Sequence, residues 1–166
     1  MDEPMPFDLV NVLPDTEAFA SLLRLADEIR QSRCLAFRPD HCLETVLIGA
    51  YGPRDRRSCF GFLYLLIQVI GSDEGRPPIP LGPGGALLRE GYVEAFGVAP
   101  GFRRRGIGRR MQEEALSLCR EKGCYQIRSR SPVSSTENYA LKVNMGYAIH
   151  PSDRNDSYFF LKTLAG

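Results

Sequence analysis

The sequence predicts a mixed α/β fold: a mostly antiparallel central sheet flanked by helices, with one parallel strand–helix–strand unit. Three observations predict it. Two β-type stretches, 44–51 and 58–70, face each other across Gly52-Pro53-Arg54-Asp55-Arg56-Arg57, a hairpin turn. A strand over 92–98 runs through Pro100-Gly101 into a helical pattern, and Gly123 closes that helix before a short strand over 125–130. Such an order requires a parallel pair. The tail supplies a last pair, 147–150 and 158–164, around the polar turn 151–156.

The remaining elements follow in chain order. Phe7 to Val12 alternates as a first strand. Asp15 or Thr16 caps a helix whose apolar residues Phe19, Leu22, Leu23, Ala26 and Ile29 recur at helical spacing. The segment 31–42 is ambiguous, with room for a short helix before Pro39. Residues 60–70 are apolar on both parities, which predicts a strand buried on both faces. The Gly- and Pro-rich stretch 71–90 reads as the longest irregular segment, a mobile excursion or a flap. In the helix after Pro100, Ile107, Met111, Ala115, Leu118 and Cys119 trace one face. Ser134 and Ser135 are capping candidates for a final helix ending at Gly146.

With 166 residues the chain reads as one domain over 1–166, long enough for a substantial core. A net charge of +1 argues against a dedicated nucleic-acid binder, so the basic run near 103–110 is a local feature. Five cysteines, odd in number and without metal-type spacing, read as reduced thiols in a cytoplasmic protein, with no metal. The N-terminus lacks the charge pattern of a signal peptide, and no apolar run is long enough to span a membrane.

The most informative stretch is Val98-Ala99-Pro100-Gly101-Phe102-Arg103-Arg104-Arg105-Gly106-Ile107-Gly108. Two glycines at a helix mouth let the backbone approach a ligand, where unpaired N–H groups and the helix dipole favour negative charge. Arginines beside that mouth suit phosphate oxygens. A phosphate-bearing ligand is therefore expected here.

This stretch resembles the acyl-CoA signature of the GNAT-family N-acetyltransferases: a strand ending in Val-x-Pro, then Arg, two residues, Gly, one residue, Gly. Arg103, Gly106 and Gly108 stand at its three defining places. The resemblance implies a GNAT-like fold with acetyl-CoA as co-substrate. The backbone from Arg103 through Arg104, Arg105, Gly106, Ile107 and Gly108 to Arg109 would wrap the pyrophosphate of coenzyme A. The main chain of Phe96, Gly97 and Val98 would pair with its pantetheine arm, and Asn138 would help hold the cofactor. Dimers are common in that family.

Acyl transfer to an amine needs a base, a stabilised oxyanion and a proton for the departing thiolate. Glu94, four residues before Val98, is the candidate base, set against a structural carboxylate paired with arginine. Many members of the family carry a tyrosine four residues before the glycine that ends the last helix; counted from Gly146, that place holds Lys142. Tyr139, one turn earlier, is the alternative acid and the one favoured by chemical type. The resemblance implies a primary amine as acceptor, on a small molecule or peptide that the sequence does not identify. A non-catalytic acyl-CoA-binding or regulatory module stays open as a second reading. A dinucleotide-binding domain is disfavoured, because the third glycine of its fingerprint is missing.

Overall fold

The computed structural model describes residues 4–71 and 77–164. Seven strands and four helices are found among them: β1 Asp8–Asn11, α1 Glu17–Glu28, α2 Ser32–Leu35, β2 Cys42–Tyr51, β3 Cys59–Val69, β4 Arg89–Val98, α3 Ile107–Glu121, β5 Gln126–Pro132, α4 Thr136–Asn144, β6 Ala148–Pro151 and β7 Ser157–Thr163. The hydrogen-bonded strand order is β1-β2-β3-β4-β5-β7-β6. The pairs β1–β2, β5–β7 and β6–β7 are antiparallel, and β4–β5 is parallel. That is the mixed, mostly antiparallel sheet expected from the sequence, with the parallel pair joined through α3.

The chain packs as two compact units. One comprises Met1–Arg38, Thr45–Leu65 and Glu94–Ala115; the other comprises Pro39–Glu44, Leu66–Val93 and Leu116–Gly166. In the first unit, Thr16 Oγ1 accepts from the Phe19 N–H at 3.1 Å, so Thr16, not Asp15, is the side-chain cap of α1. Leu22, Leu25 and Ala26 bury that helix's apolar face. The first turns of α3 sit on β3 at Gly61: a Cβ there would come within 3.0 Å of both Met111 Cε and the Gly97 carbonyl. Gly61 therefore sets how closely helix and strand approach. Ile107, Met111 and Ala115 are buried, as their spacing predicts.

In the second unit, Leu66, Ile67, Ile127, Tyr147 and Phe160 form the apolar core. β3 is buried along nearly its whole length on both faces, as its two-parity apolar run predicts. α3 ends in a Schellman cap: Cys124 N–H reaches the Cys119 carbonyl at 2.9 Å, Gly123 N–H reaches Arg120 at 3.1 Å, and Gly123 has φ +70°.

Two departures from expectation have local reasons: the start of β4 and the capping of α4. β4 starts at Arg89, three residues before the expected 92, because Glu90 and Gly91 already pair with Gln126 and Ile127. The charged Glu90 hid that pairing from a hydrophobicity pattern. α4 starts at Thr136 after Ser135, whose side chain makes no capping bond; its carbonyl instead accepts from Asn138 and Tyr139 at 3.1 and 3.2 Å. The expected flap falls partly on 72–76, outside the described residues. Its described remainder is tied back by Ile70 N–H to the Leu88 carbonyl at 2.8 Å and by a 3₁₀ turn over Pro83–Gly85.

Candidate active site

The anion-binding stretch is built in the first unit from the end of β4 onward. Ala99 N–H donates to the Phe60 carbonyl at 2.8 Å, the last tie of this segment to β3. Phe102 then stacks on Phe60, with ring centres 4.1 Å apart and planes 13° from parallel. Such a stack contributes roughly 0.5–1.5 kcal/mol beyond its burial, and it fixes where the following arginines start. Arg104 has φ +61° and Gly106 has φ +80°. A non-glycine residue held in the left-handed region costs about 1–2 kcal/mol, and strain of that kind gathers at ligand sites. Nothing lies within 4 Å of where a Cβ on Gly106 would stand. The backbone there is open to a ligand's close approach.

Gly106 O accepts the first α3 bond, from Arg110 N–H at 3.0 Å. The amides of Ile107, Gly108 and Arg109 precede it, and helix geometry gives them no acceptor within the helix. Arg103, Arg104, Arg105, Arg109 and Arg110 are all exposed around this mouth. Arg103 folds back so that its Nε donates to the Val98 carbonyl at 3.1 Å. Arg105 lies over Phe102 at 5.8 Å and Arg110 over Phe7 at 5.8 Å. Arg109 pairs with Glu113 at 3.1 Å on the exposed helix face, an interaction of little worth that an anion can outbid. The open glycine, the left-handed Arg104 and the helix-start amides fit a pyrophosphate.

The strand leading into the turn is already partly engaged. Phe96 N–H donates to Gln31 Oε1 at 3.2 Å, and Gln31 Nε2 donates to the Phe96 carbonyl at 3.1 Å. Gly97 is half-buried, and a Cβ on it would collide with Ile29 Cδ1. Glu94 is half-buried in the same strand. Burial raises the Cys34 thiol above its usual range, and the Glu94 charge adds to that.

The two candidate acids lie in the second unit and diverge, although they are one turn apart. The Tyr139 hydroxyl donates to the Pro132 carbonyl at 2.7 Å and also lies 3.2 Å from the Ser131 carbonyl. Its ring packs on Phe160 at 5.0 Å and meets Tyr158 edge-on at 6.2 Å. Burial and the neighbouring Tyr158 push its phenol upward. Lys142 instead turns inward. It is 1% exposed, with its ammonium 4.3 Å from the Tyr147 ring centre. Burial lowers its pKa to about 7. Asn138 donates through Nδ2 to Ser131 Oγ at 2.6 Å, while its Oδ1 is buried with no hydrogen-bond partner among the described residues.

The sequence reading missed Gln31, which lay in the ambiguous segment after α1 with no pattern to mark it. It also missed the buried Glu90 cluster of the second unit. Among the described residues, no group of three or more His, Cys, Asp or Glu could hold a metal ion. No helix among them is long and apolar enough to cross a membrane.

Residues 27–142 match the family described as Acetyltransferase (GNAT) family, and the chain belongs to it. A comparison with curated proteins by sequence gave no match. Among solved structures, Arabidopsis thaliana NAA60 in complex with a bisubstrate analogue is similar at 17% identity, over 95% of this chain and 98% of that one, with a TM-score of 0.68. The PaiA N-acetyltransferase of Thermoplasma acidophilum, in complex with coenzyme A, is similar at 12% identity over 96% and 99%, with a TM-score of 0.67. Ard1 from Thermoplasma volcanium is similar at 18% identity over 96% and 99%, with a TM-score of 0.61. At these identities the likeness is one of fold. A dinucleotide-binding domain needs a doubly wound parallel sheet, and the antiparallel pairings exclude that alternative.

Proposed function

We propose that the chain is an N-acetyltransferase that moves an acetyl group from acetyl-CoA to a primary amine of a small molecule or peptide, within one domain spanning 1–166. The observation that carries this reading is the turn from Arg103 to Gly108: an open Gly106 at φ +80° and a left-handed Arg104 leading into unpaired helix amides under five exposed arginines. Bound acetyl-CoA supplies an acyl group activated as a thioester. Backbone amides from Arg103 to Arg109 hold the pyrophosphate, with Arg103, Arg104, Arg105 and Arg109 balancing its charge. The main chain of Phe96, Gly97 and Val98 guides the extended arm, and Asn138 helps hold the cofactor. Glu94 takes the proton of the incoming amine.

The proton for the departing sulfur comes from Tyr139 or Lys142. The Tyr139 hydroxyl proton is directed at a backbone carbonyl. A lysine titrating near 7 is matched to proton transfer at neutral pH, which favours Lys142. Incubation with acetyl-CoA and a panel of amines and peptide N-termini, read by free-thiol release and product mass, tests the activity. Acetylated product above the enzyme-free rate is expected, and none with any acceptor would defeat it. The second reading, an acyl-CoA-binding module without turnover, draws on the inward-turned Lys142 at the place where many family members carry tyrosine. That reading takes coenzyme A binding with no product in the same assay.

A further inference from the structure

Gln31 is held where it stands by the C-terminal cap of α1. Gln31 N–H reaches the Ala26 carbonyl at 2.8 Å and Arg30 N–H reaches Asp27 at 3.1 Å, with Arg30 in the left-handed region at φ +60°. These are the two bonds of a Schellman motif, here built without glycine. On its other side, the Gln31 carbonyl accepts from Cys34 N–H at 3.0 Å and so opens α2. The backbone of Gln31 is thus pinned from both directions, and its side chain alone is left to move.

That side chain meets β4 as a neighbouring strand would. Ala99 N–H is bonded to Phe60 of β3, and the Gly97 carbonyl also faces β3 at Gly61. Strand alternation then turns the N–H and C=O of Phe96 to the opposite edge. The Gln31 carboxamide fills both, with one bond accepted and one donated. Gly97 permits the approach, because a side chain there would collide with Ile29 at the end of α1. A primary carboxamide offering one donor and one acceptor to an extended main chain reproduces the pairing of a secondary amide laid along the strand.

We infer that Gln31 is a built-in competitor for the amide-bearing arm of the ligand. Its carboxamide holds the main-chain pair of Phe96, and an arm that pairs there must first displace it. This rests on the proposed binding of coenzyme A along residues 96–98. Gln31 therefore sets the affinity for the arm without touching the arginine-lined turn that holds the phosphates. The device selects ligands that return both hydrogen bonds, and a nucleotide without the arm gains nothing from its release.

The test compares coenzyme A with adenosine 3′,5′-bisphosphate, which carries phosphate and adenosine but no arm, by titration calorimetry. Wild type is measured beside Gln31→Ala and Gln31→Met, the latter keeping the side-chain volume without its hydrogen bonds. Both variants are expected to bind coenzyme A about 3- to 10-fold more tightly, the worth of roughly one net hydrogen bond, and to bind the bisphosphate as wild type does. Coenzyme A affinity that is unchanged or weaker in both variants overturns the inference while leaving the proposed function standing. An equal gain for both ligands overturns it as well, since the effect would then lie at the turn. No binding of coenzyme A to wild type removes the reading beneath and the inference with it.

Discussion

Arg128 grips both oxygens of the buried Glu90, with Nη2 2.8 Å from Oε1 and Nε 3.2 Å from Oε2. Gln68 and Gln126 add one bond to each oxygen, at 2.9 and 2.7 Å. The guanidinium is itself sandwiched between the Tyr92 and Phe159 rings, at 4.8 and 5.0 Å. The cluster joins the start of β4 to β5 across their parallel register, so the alignment of β4 depends on it.

Removing one partner should therefore cost much more than a surface ion pair would. Arg128→Met leaves a carboxylate that is 2% exposed without its cation, and a loss of about 3 kcal/mol is expected, at the low end for a buried pair because Arg128 stays partly exposed. Urea unfolding at neutral pH checks this; a change under about 0.5 kcal/mol would mean water replaces the guanidinium.

The same cluster carries an acid dependence. Burial alone would raise the Glu90 carboxyl, but the bonds and charge of Arg128, with Gln126 and Gln68, outweigh it and hold the group below its usual range. Its stabilisation is present above the ordinary carboxylate value and is lost as pH falls through the lowered folded value. Acid titration of wild type beside Glu90→Gln should show a steeper loss in wild type below about pH 4. Parallel curves would contradict it.

Lys142 predicts a trend of the same sign in a higher pH window. Its folded pKa of about 7 lies below the ordinary lysine value, so between roughly 7 and 10.4 the unfolded chain binds more protons and stability rises with pH. Below about 7 both states are protonated and this contribution is flat. Lys142→Met should remove the rise. Denaturation series from pH 6 to 10 check this, and equal slopes would show that Lys142 stays charged when folded.

Coenzyme A should bind with micromolar-range affinity and raise the melting temperature. Gly108→Trp should abolish both effects by blocking backbone approach at the helix mouth. Equal calorimetric binding by the two proteins would place the phosphates elsewhere.

The catalytic assignments separate kinetically. Glu94→Gln should lower kcat and remove the acidic limb of the pH–rate profile, with coenzyme A affinity kept. In single turnover at saturating acetyl-CoA, Lys142→Met should slow transfer at least tenfold and Tyr139→Phe should have a small effect. The reverse pattern would return the proton to Tyr139, and no change in either would make solvent the source.

The sequence by itself determined most of the elements and the glycine-arginine turn that enters α3. Alternation, helical spacing, the glycines at 106 and 108 and the cap at Gly123 are local rules, and local rules are written in neighbouring residues. It also fixed the parallel pair, because strand–helix–strand order leaves the chain no other short route. Only the tertiary structure decided what each polar side chain meets. Gln31 lies 65 residues from Phe96 in the chain, and Arg128 lies 38 from Glu90. No periodicity links such pairs, since their meeting depends on strand register and on where a helix cap happens to end. The same holds for Lys142 and Tyr139: one helix turn places them together, but packing against Tyr147 draws one inward and the Pro132 carbonyl holds the other.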